Sequence, residues 1–478
     1  MRVIVANPPW PGPGYGTRSN IRWPHRRGDK VLTFPIFLAY LTSLLKQNKF
    51  QVKGIDAVDK ELGISDFVDV VISYHPDIVF MEISTPSLPY DLECAELIKE
   101  KVGCRIAFLG PHVNYFHDRI IKNYNFVDYC IRNEFEFTAL ELCQKLKSGK
   151  SIKSIKGLTY RENGKVIINE KKPFETNLDK LPFPDREDFP IENYQQAFYS
   201  GKKAALMLSS RGCPSRCTFC IYPGTITGHL HRARSAGNIA DEIEHLIRNY
   251  GVDEIYFDDD TFIVDKKRIY ELCDELLRRG IKLPWMCMAR VSTIDQDLLK
   301  KMKQSGCTEI FYGFESGSQK ILNNINKGIT LEQSIKAVRM TQKEGMYATG
   351  SFIIGLPDDD KETIKETLRF AIKLKADYVQ FALAEVFPGT ELYEQAEKEG
   401  LLKLTSWTDL DGTHGSVLRT RYLTNHELEG VIRKMYIGYY TSPRIIFKNL
   451  RNIKSIRDLR KILRGARSVV SRIIYYKE

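Results

Sequence analysis

Three cysteines set the chemical question. The segment Ser209-Ser210-Arg211-Gly212-Cys213-Pro214-Ser215-Arg216-Cys217-Thr218-Phe219-Cys220 spaces its thiols as C-x3-C-x2-C. Three thiolates on one loop can grip three corners of a metal cluster. A structural zinc site asks for four protein ligands, and no second Cys pair stands at ligand spacing nearby; His229 and His231 follow, but H-x-H is an unusual companion. Cys217-Thr218-Phe219-Cys220 alone is a thioredoxin-type C-x-x-C, which the third Cys and the missing βαβ setting disfavour. A 4Fe–4S cluster normally takes four Cys. Three leave one iron open to a ligand, a reactive arrangement rather than a purely structural one. The other seven cysteines (Cys94, Cys104, Cys130, Cys143, Cys273, Cys287, Cys307) are scattered in apolar contexts and read as buried thiols.

The elements around this loop position it. Strand-like runs at Ala204–Leu208, Glu254–Phe257, Trp285–Ala289, Glu309–Phe314, Ala348–Ile354 and Tyr378–Ala384 alternate with helical periodicity. Six such units predict a partial or full parallel barrel with its chemistry at the carboxyl ends of the strands. The cysteine loop follows the first of them. The first 145 residues carry five further strand signals separated by helices, which predict a doubly wound parallel sheet. No G-x-G-x-x-G follows the first strand, so a dinucleotide site is poorly supported. Between the two units, Leu158–Arg161 and Val166–Asn169 flank a turn and read as a hairpin, followed by a Pro-rich linker. The expected division is 1–145 doubly wound domain, 146–200 hairpin and linker, 201–393 barrel, and 394–478 helical region with a basic tail.

Composition narrows the class. At 478 residues, 43% hydrophobic and 27% charged, the chain is neither largely disordered nor too short for a sizeable core. No run of 18 apolar residues marks a transmembrane helix, and the N-terminus reads as a strand rather than a signal peptide. The net charge of +11 is concentrated at one end. Arg444 to Glu478 holds 11 Lys/Arg and two acids, leaving a nearly neutral body. Nucleic acid is therefore not the expected partner.

With its position after a first barrel strand and an aromatic before the last Cys (Phe219), the C-x3-C-x2-C loop resembles the radical S-adenosylmethionine (SAM) superfamily. The resemblance implies that Cys213, Cys217 and Cys220 hold a 4Fe–4S cluster. It further implies that the open iron chelates SAM, and that an electron from the cluster yields a 5′-deoxyadenosyl radical. It extends to Gly313-Phe314-Glu315-Ser316-Gly317-Ser318, similar to the family's ribose-binding segment, and to Gly350–Pro357, similar to the strand near the adenine. The SAM contacts so implied are Phe219, Asp258, Arg290, Glu315, Ser316 and Ile353. The alternatives are a helix cap at Glu315–Ser318, a core strand at Ile353, a solvated or Mg²⁺-binding cap at Asp258-Asp259-Asp260, and a plain salt bridge for Arg290.

A doubly wound domain before such a barrel resembles the cobalamin-binding subgroup. Supporting segments are Asn7-Pro8-Pro9, Pro76–Val79, Gly110-Pro111-His112 and Val127–Glu136. The implied cobalamin contacts are Asn7, Ser84, Thr85, Gly110, His112 and Glu134. The D-x-H-x-x-G motif is absent; the corresponding loop, Asp56–Glu61, has no His, which implies no histidine as the lower cobalt ligand. A loop-capping role is the alternative for His112. Ile221-Tyr222-Pro223-Gly224, Gly228–Ser235 and Asn133–Thr138 look like the branch of hopanoid cyclitol-ether enzymes and the anaerobic porphyrin-ester cyclase.

The expectation is a cytoplasmic, cobalamin-dependent radical SAM enzyme acting on a lipid-like or isoprenoid/tetrapyrrole substrate by rearrangement or cyclisation. An external donor such as flavodoxin or ferredoxin supplies electrons. The alternatives are a C-methyltransferase and, from another class, a non-catalytic cobalamin or iron–sulfur sensor. No individual catalytic residue is legible. The tail pattern from Ser455 onward, with Ile456, Leu459 and Leu463 among basic residues, is that of a basic amphipathic helix. It can lie on an anionic membrane at the inner face or pack on the barrel.

Overall fold

The computed structural model describes residues 1–18, 24–28, 30–194, 201, 203–412, 416–428 and 430–452. The basic segment from Ser455 onward lies outside the described residues.

The N-terminal sheet has seven strands. Its parallel part is β1 (Arg2–Asn7), β4 (Gln51–Asp56), β5 (Ile78–Glu82), β6 (Arg105–Leu109) and β7 (Tyr129–Ile131). A short antiparallel pair, β2 (Tyr15–Thr17) and β3 (His25–Arg27), stands outside it. The hairpin expected in the linker, β8 (Leu158–Glu162) and β9 (Lys165–Ile168), instead pairs antiparallel onto β7 and extends the sheet. The order is β4-β1-β5-β6-β7-β8-β9. Strand order reverses at β1, so the crevice beside the carboxyl ends of β1 and β5 is the natural ligand position of this topology. β5 (Ile-Val-Phe-Met-Glu) is buried throughout, as expected for a parallel strand covered on both faces.

The second unit is a six-stranded, all-parallel sheet. After β10 (Ala204–Met207), β11 (Ser210–Arg211) and β12 (Arg232–Ala233) form a small antiparallel pair. β13 (Glu254–Phe257), β14 (Trp285–Ala289), β15 (Cys307–Glu315), β16 (Tyr347–Ile354) and β17 (Tyr378–Leu383) complete the order β10-β13-β14-β15-β16-β17. It is an open, partial barrel. Side-chain alternation divides the strands between two environments. On β15, Ile310, Tyr312 and Phe314 enter the core beneath the helices. Glu309, Phe311, Gly313 and Glu315 face the barrel interior.

Short helices follow at Glu391–Lys398, Val431–Tyr440 and Pro443–Asn452. The last is fastened by Lys448, whose ammonium pairs with Asp377 at 2.9 Å. One apolar cluster joins the two units, running from Phe37, Tyr40 and Phe135 to Leu206, Ile221, Tyr222 and Phe387. The N-terminal domain is thereby packed onto the mouth of the barrel. No described helix is long and apolar enough to cross a membrane.

Candidate active site

The cysteine loop leaves β10 and is held from several sides. Asp259, fully buried, accepts hydrogen bonds from the Ser209 amide (2.7 Å) and the Ser210 hydroxyl (2.8 Å). Asp260 accepts from the Gly212 amide (2.8 Å) and the Thr227 hydroxyl (2.6 Å). Two of the three acids after β13 are thus clamps for the loop, while Asp258 accepts from Tyr256 at 2.8 Å; Asp258 and Asp260 both line the barrel interior. Among the described residues the three carboxylates do not gather as ligands of one ion. Gly212 has φ +87°, and a Cβ there would come within 2.1 Å of the Leu230 carbonyl oxygen. Further along, the Thr218 amide donates to Ile325 O (3.1 Å) and the Leu392 amide to Thr218 O (2.9 Å).

The loop is also tied to the N-terminal domain. Arg211, two residues before Cys213, pairs with Glu136 at 2.7 Å and approaches Glu134 at 3.7 Å. Its guanidinium lies over the rings of Phe37 and Tyr40. Arg232 on β12 grips Glu134 with two nitrogens, each at 2.7 Å. All four of these charged side chains are buried. Charge-assisted, bidentate bonds in a dry interface are strong and directional.

A cavity of about 350 Å³ lies between the domains at the carboxyl ends of the barrel strands. Cys213, Cys217 and Cys220 all line it. So do Phe219, Asp258, Arg290, Glu315 and Ile353, five of the six residues expected to contact SAM. Ser316 is not among its lining residues. It caps the turn after β15, bonding the Thr367 hydroxyl (3.2 Å) and the Ser318 amide (3.1 Å). A continuous polar chain crosses one wall. Arg290 donates to Cys217 Sγ at 3.5 Å and to the Lys327 carbonyl, and Lys327 Nζ donates to Glu315 Oε1 at 2.5 Å. Lys327 was not found from sequence; it sits in a loop without a pattern of its own. Glu315, at φ +63°, is turned inward by its backbone.

The donor set fits an iron–sulfur cluster: three soft thiols face one cavity. Among the described residues, no three His, Cys, Asp or Glu side chains converge as ligands of a single ion do. His229 instead bonds the Cys213 carbonyl at 3.1 Å. The seven scattered cysteines are all buried and free, and burial pushes the Cys143 and Cys273 thiols up to about 12.

The six residues expected to touch cobalamin lie around the carboxyl ends of the N-terminal sheet, none of them lining this cavity. Asn7 donates to Asp56 (2.8 Å), Ser84 bonds Ser87 (2.6 Å), and Thr85 bonds His112 Nδ1 (3.1 Å). His112 is packed against Phe116 and Trp407, and burial lowers its pKa to about 3, keeping the imidazole neutral. Gly110 has φ +106°, where a Cβ would meet Ile83 O at 2.8 Å. Glu134 is engaged by the two arginines. The crevice beside β1 and β5 also receives Arg18, whose guanidinium bonds Asn7, Ser87 and Asp91 at 2.7–2.9 Å. From this domain the cavity wall itself is built by His25, Arg26, Arg27, Gly28 and Thr33, on and beside β3.

The family model described as the Radical SAM superfamily matches residues 207–371, opening on the last residue of β10 and taking in the cysteine loop. An uncharacterized methyltransferase from Pyrococcus horikoshii is 34% identical over 418 residues, 87% of this chain and 90% of that protein. The chain belongs to the radical SAM superfamily. An anaerobic magnesium-protoporphyrin IX monomethyl ester cyclase from Rubrivivax gelatinosus is 26% identical over 406 residues, covering 83% of this radical SAM chain and 70% of the cyclase. Among solved structures, the radical SAM methyltransferase TsrM from Kitasatospora setae, with cobalamin and a 4Fe–4S cluster bound, superposes with a TM-score of 0.73 at 16% identity, covering 98% of this chain and 99% of TsrM. The shared fold therefore includes the N-terminal domain as well as the radical SAM barrel.

Proposed function

We propose that this radical SAM enzyme is cobalamin-dependent and performs rearrangement or cyclisation at an unactivated carbon of a lipid-like or tetrapyrrole-sized substrate. One observation carries the reading: all three cysteines, the Arg290–Lys327–Glu315 chain and a wall from the N-terminal domain share a single cavity. When bound, the cluster supplies the electron that splits SAM, and cobalamin supplies a second reactive centre. Cys213, Cys217 and Cys220 would hold the cluster. Glu315 is placed to accept hydrogen bonds from adjacent hydroxyls, with Lys327 balancing its charge. Arg290 and Lys327 offer cations to a carboxylate. Asp258, Phe219 and Ile353 complete that wall. Asn7, Ser84, Thr85, Gly110, His112 and Glu134 frame the crevice proposed for cobalamin. The domain interface keeps water from the reacting atoms, and an external flavodoxin or ferredoxin delivers electrons.

A second reading, C-methylation, is favoured by the name of the Pyrococcus relative. Anaerobic reconstitution with iron, sulfide, hydroxocobalamin, dithionite and SAM tests the proposal. Formation of 5′-deoxyadenosine and retention of corrin absorbance are expected. Absence of deoxyadenosine with an intact cluster, or no retained corrin, overturns it. S-adenosylhomocysteine appearing beside deoxyadenosine assigns methylation instead.

All ten cysteines are free, which suits a reducing cytoplasm. We further place the enzyme at the inner membrane face. Ile437, Ile446 and Phe447 are exposed on the two last described helices, next to the strongly basic C-terminal segment. Flotation with anionic vesicles should be lost in a chain ended at Asn452, and unchanged flotation refutes the placement.

A further inference from the structure

Glu385 is a half-buried residue with one fully buried carboxyl oxygen, which the reading above does not use. It stands two residues beyond β17, at the seam between the barrel and the N-terminal domain, and lines the same cavity as the cysteines. Its Oε2 is buried and makes no hydrogen bond among the described residues. An orphaned buried oxygen is rare in a native fold and calls for a cause. No described residue offers that oxygen a partner. The turn carrying Gly412 closes against its other side, where Oε1 lies 3.3 Å from the position of a Gly412 Cβ. The nearest carboxylate, Asp411, is already committed to Arg26 at 2.9 Å. Arg26 spends its other nitrogens on the Trp10 and Pro11 carbonyls. His25 and Arg27 complete the charged groups that β3 brings to this seam. Phe387, Leu383 and Phe381 line the same cavity and give it an apolar stretch.

We infer that Glu385 is a ligand-binding residue of the cavity, a neutral carboxylic acid that gives its O–H to an uncharged oxygen acceptor, a carbonyl or ether, on an otherwise apolar substrate. The inference rests on the proposal that substrate fills this cavity, and it deepens it by naming the functional group met at the domain seam. Burial and the neighbouring charge of Asp411 push the Glu385 carboxyl up to about 8, in keeping with an acid that retains its proton at neutral pH. A carboxyl kept neutral by an apolar site is a hydrogen-bond donor where an ionised one would only accept. Leaving such a site empty of its acceptor strands the donor, so an analogue lacking the oxygen is bound less well.

Dicyclohexylcarbodiimide is the probe. It is apolar, and it adds to a protonated carboxyl: the carboxyl oxygen bonds to the carbodiimide carbon, the proton passes to a carbodiimide nitrogen, and acyl transfer leaves a stable N-acylurea with no further reactant. Labelling of the intact chain at pH 7, mapped by mass spectrometry, should modify Glu385. The rate should fall about tenfold per pH unit above its pKa, and Glu385→Gln should remove the labelled peptide. No label at Glu385, or a label whose rate does not fall above pH 8, overturns the inference. Reductive SAM cleavage is run beside it as a separate readout. Deoxyadenosine without Glu385 labelling defeats this inference alone, whereas labelling without deoxyadenosine defeats the proposed function and leaves the acid standing. Far-ultraviolet circular dichroism of Glu385→Gln should match that of the parent, showing that the variant folds.

Discussion

Glu385 also gives the molecule a pH dependence whose sign is fixed by its burial. The folded carboxyl titrates at about 8, far above the ordinary glutamate value of 4.5. The folded state therefore holds a proton that the unfolded chain gives up earlier. Its contribution to stability is complete below about pH 4.5 and is lost as pH rises through 8, at roughly 1.4 kcal/mol per unit. Urea unfolding at pH 5.5 and pH 8 checks this. The fall in stability between the two should be smaller by a few kcal/mol in Glu385→Gln, which carries no charge at either pH. An equal fall in both proteins contradicts the assignment. At this scale the sequence was most readable where chemistry is local. Cys213, Cys217 and Cys220 fall within eight residues of one another. Glu315, Arg290 and Asp258 were legible as candidates because they stand at strand ends, and all three line the cavity. Lys327 and Glu385 were not legible, because each acquires its role from a surface contributed by distant chain. Ser316 carries the cap that the sequence offered as its alternative, bonding Thr367 and the Ser318 amide.

Elements place these residues by simple periodicities, and the long ones were legible for that reason. The sequence places strands at Glu254–Phe257 and Trp285–Ala289, and the structure has them there. β2 and β3 escaped notice because Tyr-Gly-Thr and His-Arg-Arg carry no apolar alternation. The hairpin after residue 157 was seen but not its attachment, since pairing with β7 is decided by edge complementarity rather than by either sequence alone. The cysteine loop depends on one backbone position more than on any other. Gly212 combines φ +87° with a carbonyl oxygen where a side chain would be. Gly212→Ala should cost roughly 2–5 kcal/mol from left-handed strain and overpacking together. The local consequence is a displaced Cys213. Reconstituted Gly212→Ala should hold markedly less iron per chain than the parent while keeping its far-ultraviolet circular dichroism. Full iron content excludes this role for the glycine.

Across the whole molecule, the two domains meet through buried charge as well as apolar packing. Arg211, Arg232, Glu134 and Glu136 form a closed set, and removing one partner strands another in a dry interface. Loss of one member of a buried pair costs about 3–5 kcal/mol. Glu134→Gln keeps the shape and removes the charge, so stability should drop by several kcal/mol already in protein free of cobalamin and iron, measured by denaturant unfolding. A residue whose only duty is to touch cobalamin would leave that stability unchanged. The motif carrying Glu134 was visible in the sequence; its partners, 77 and 98 positions away, were not, because nothing local announces a contact between domains.

That charge set has a consequence for the order in which the enzyme is made. The seven-stranded sheet, completed by β9 at Ile168, emerges before the barrel during synthesis, and domains generally fold as units in chain order. Glu134 and Glu136 are thus already fixed at the rim of a finished sheet when Arg211 appears, and Cys213 follows two residues later. The anchor is in place before the thiols arrive, so each new chain presents its three sulfurs on a loop that already has somewhere to dock.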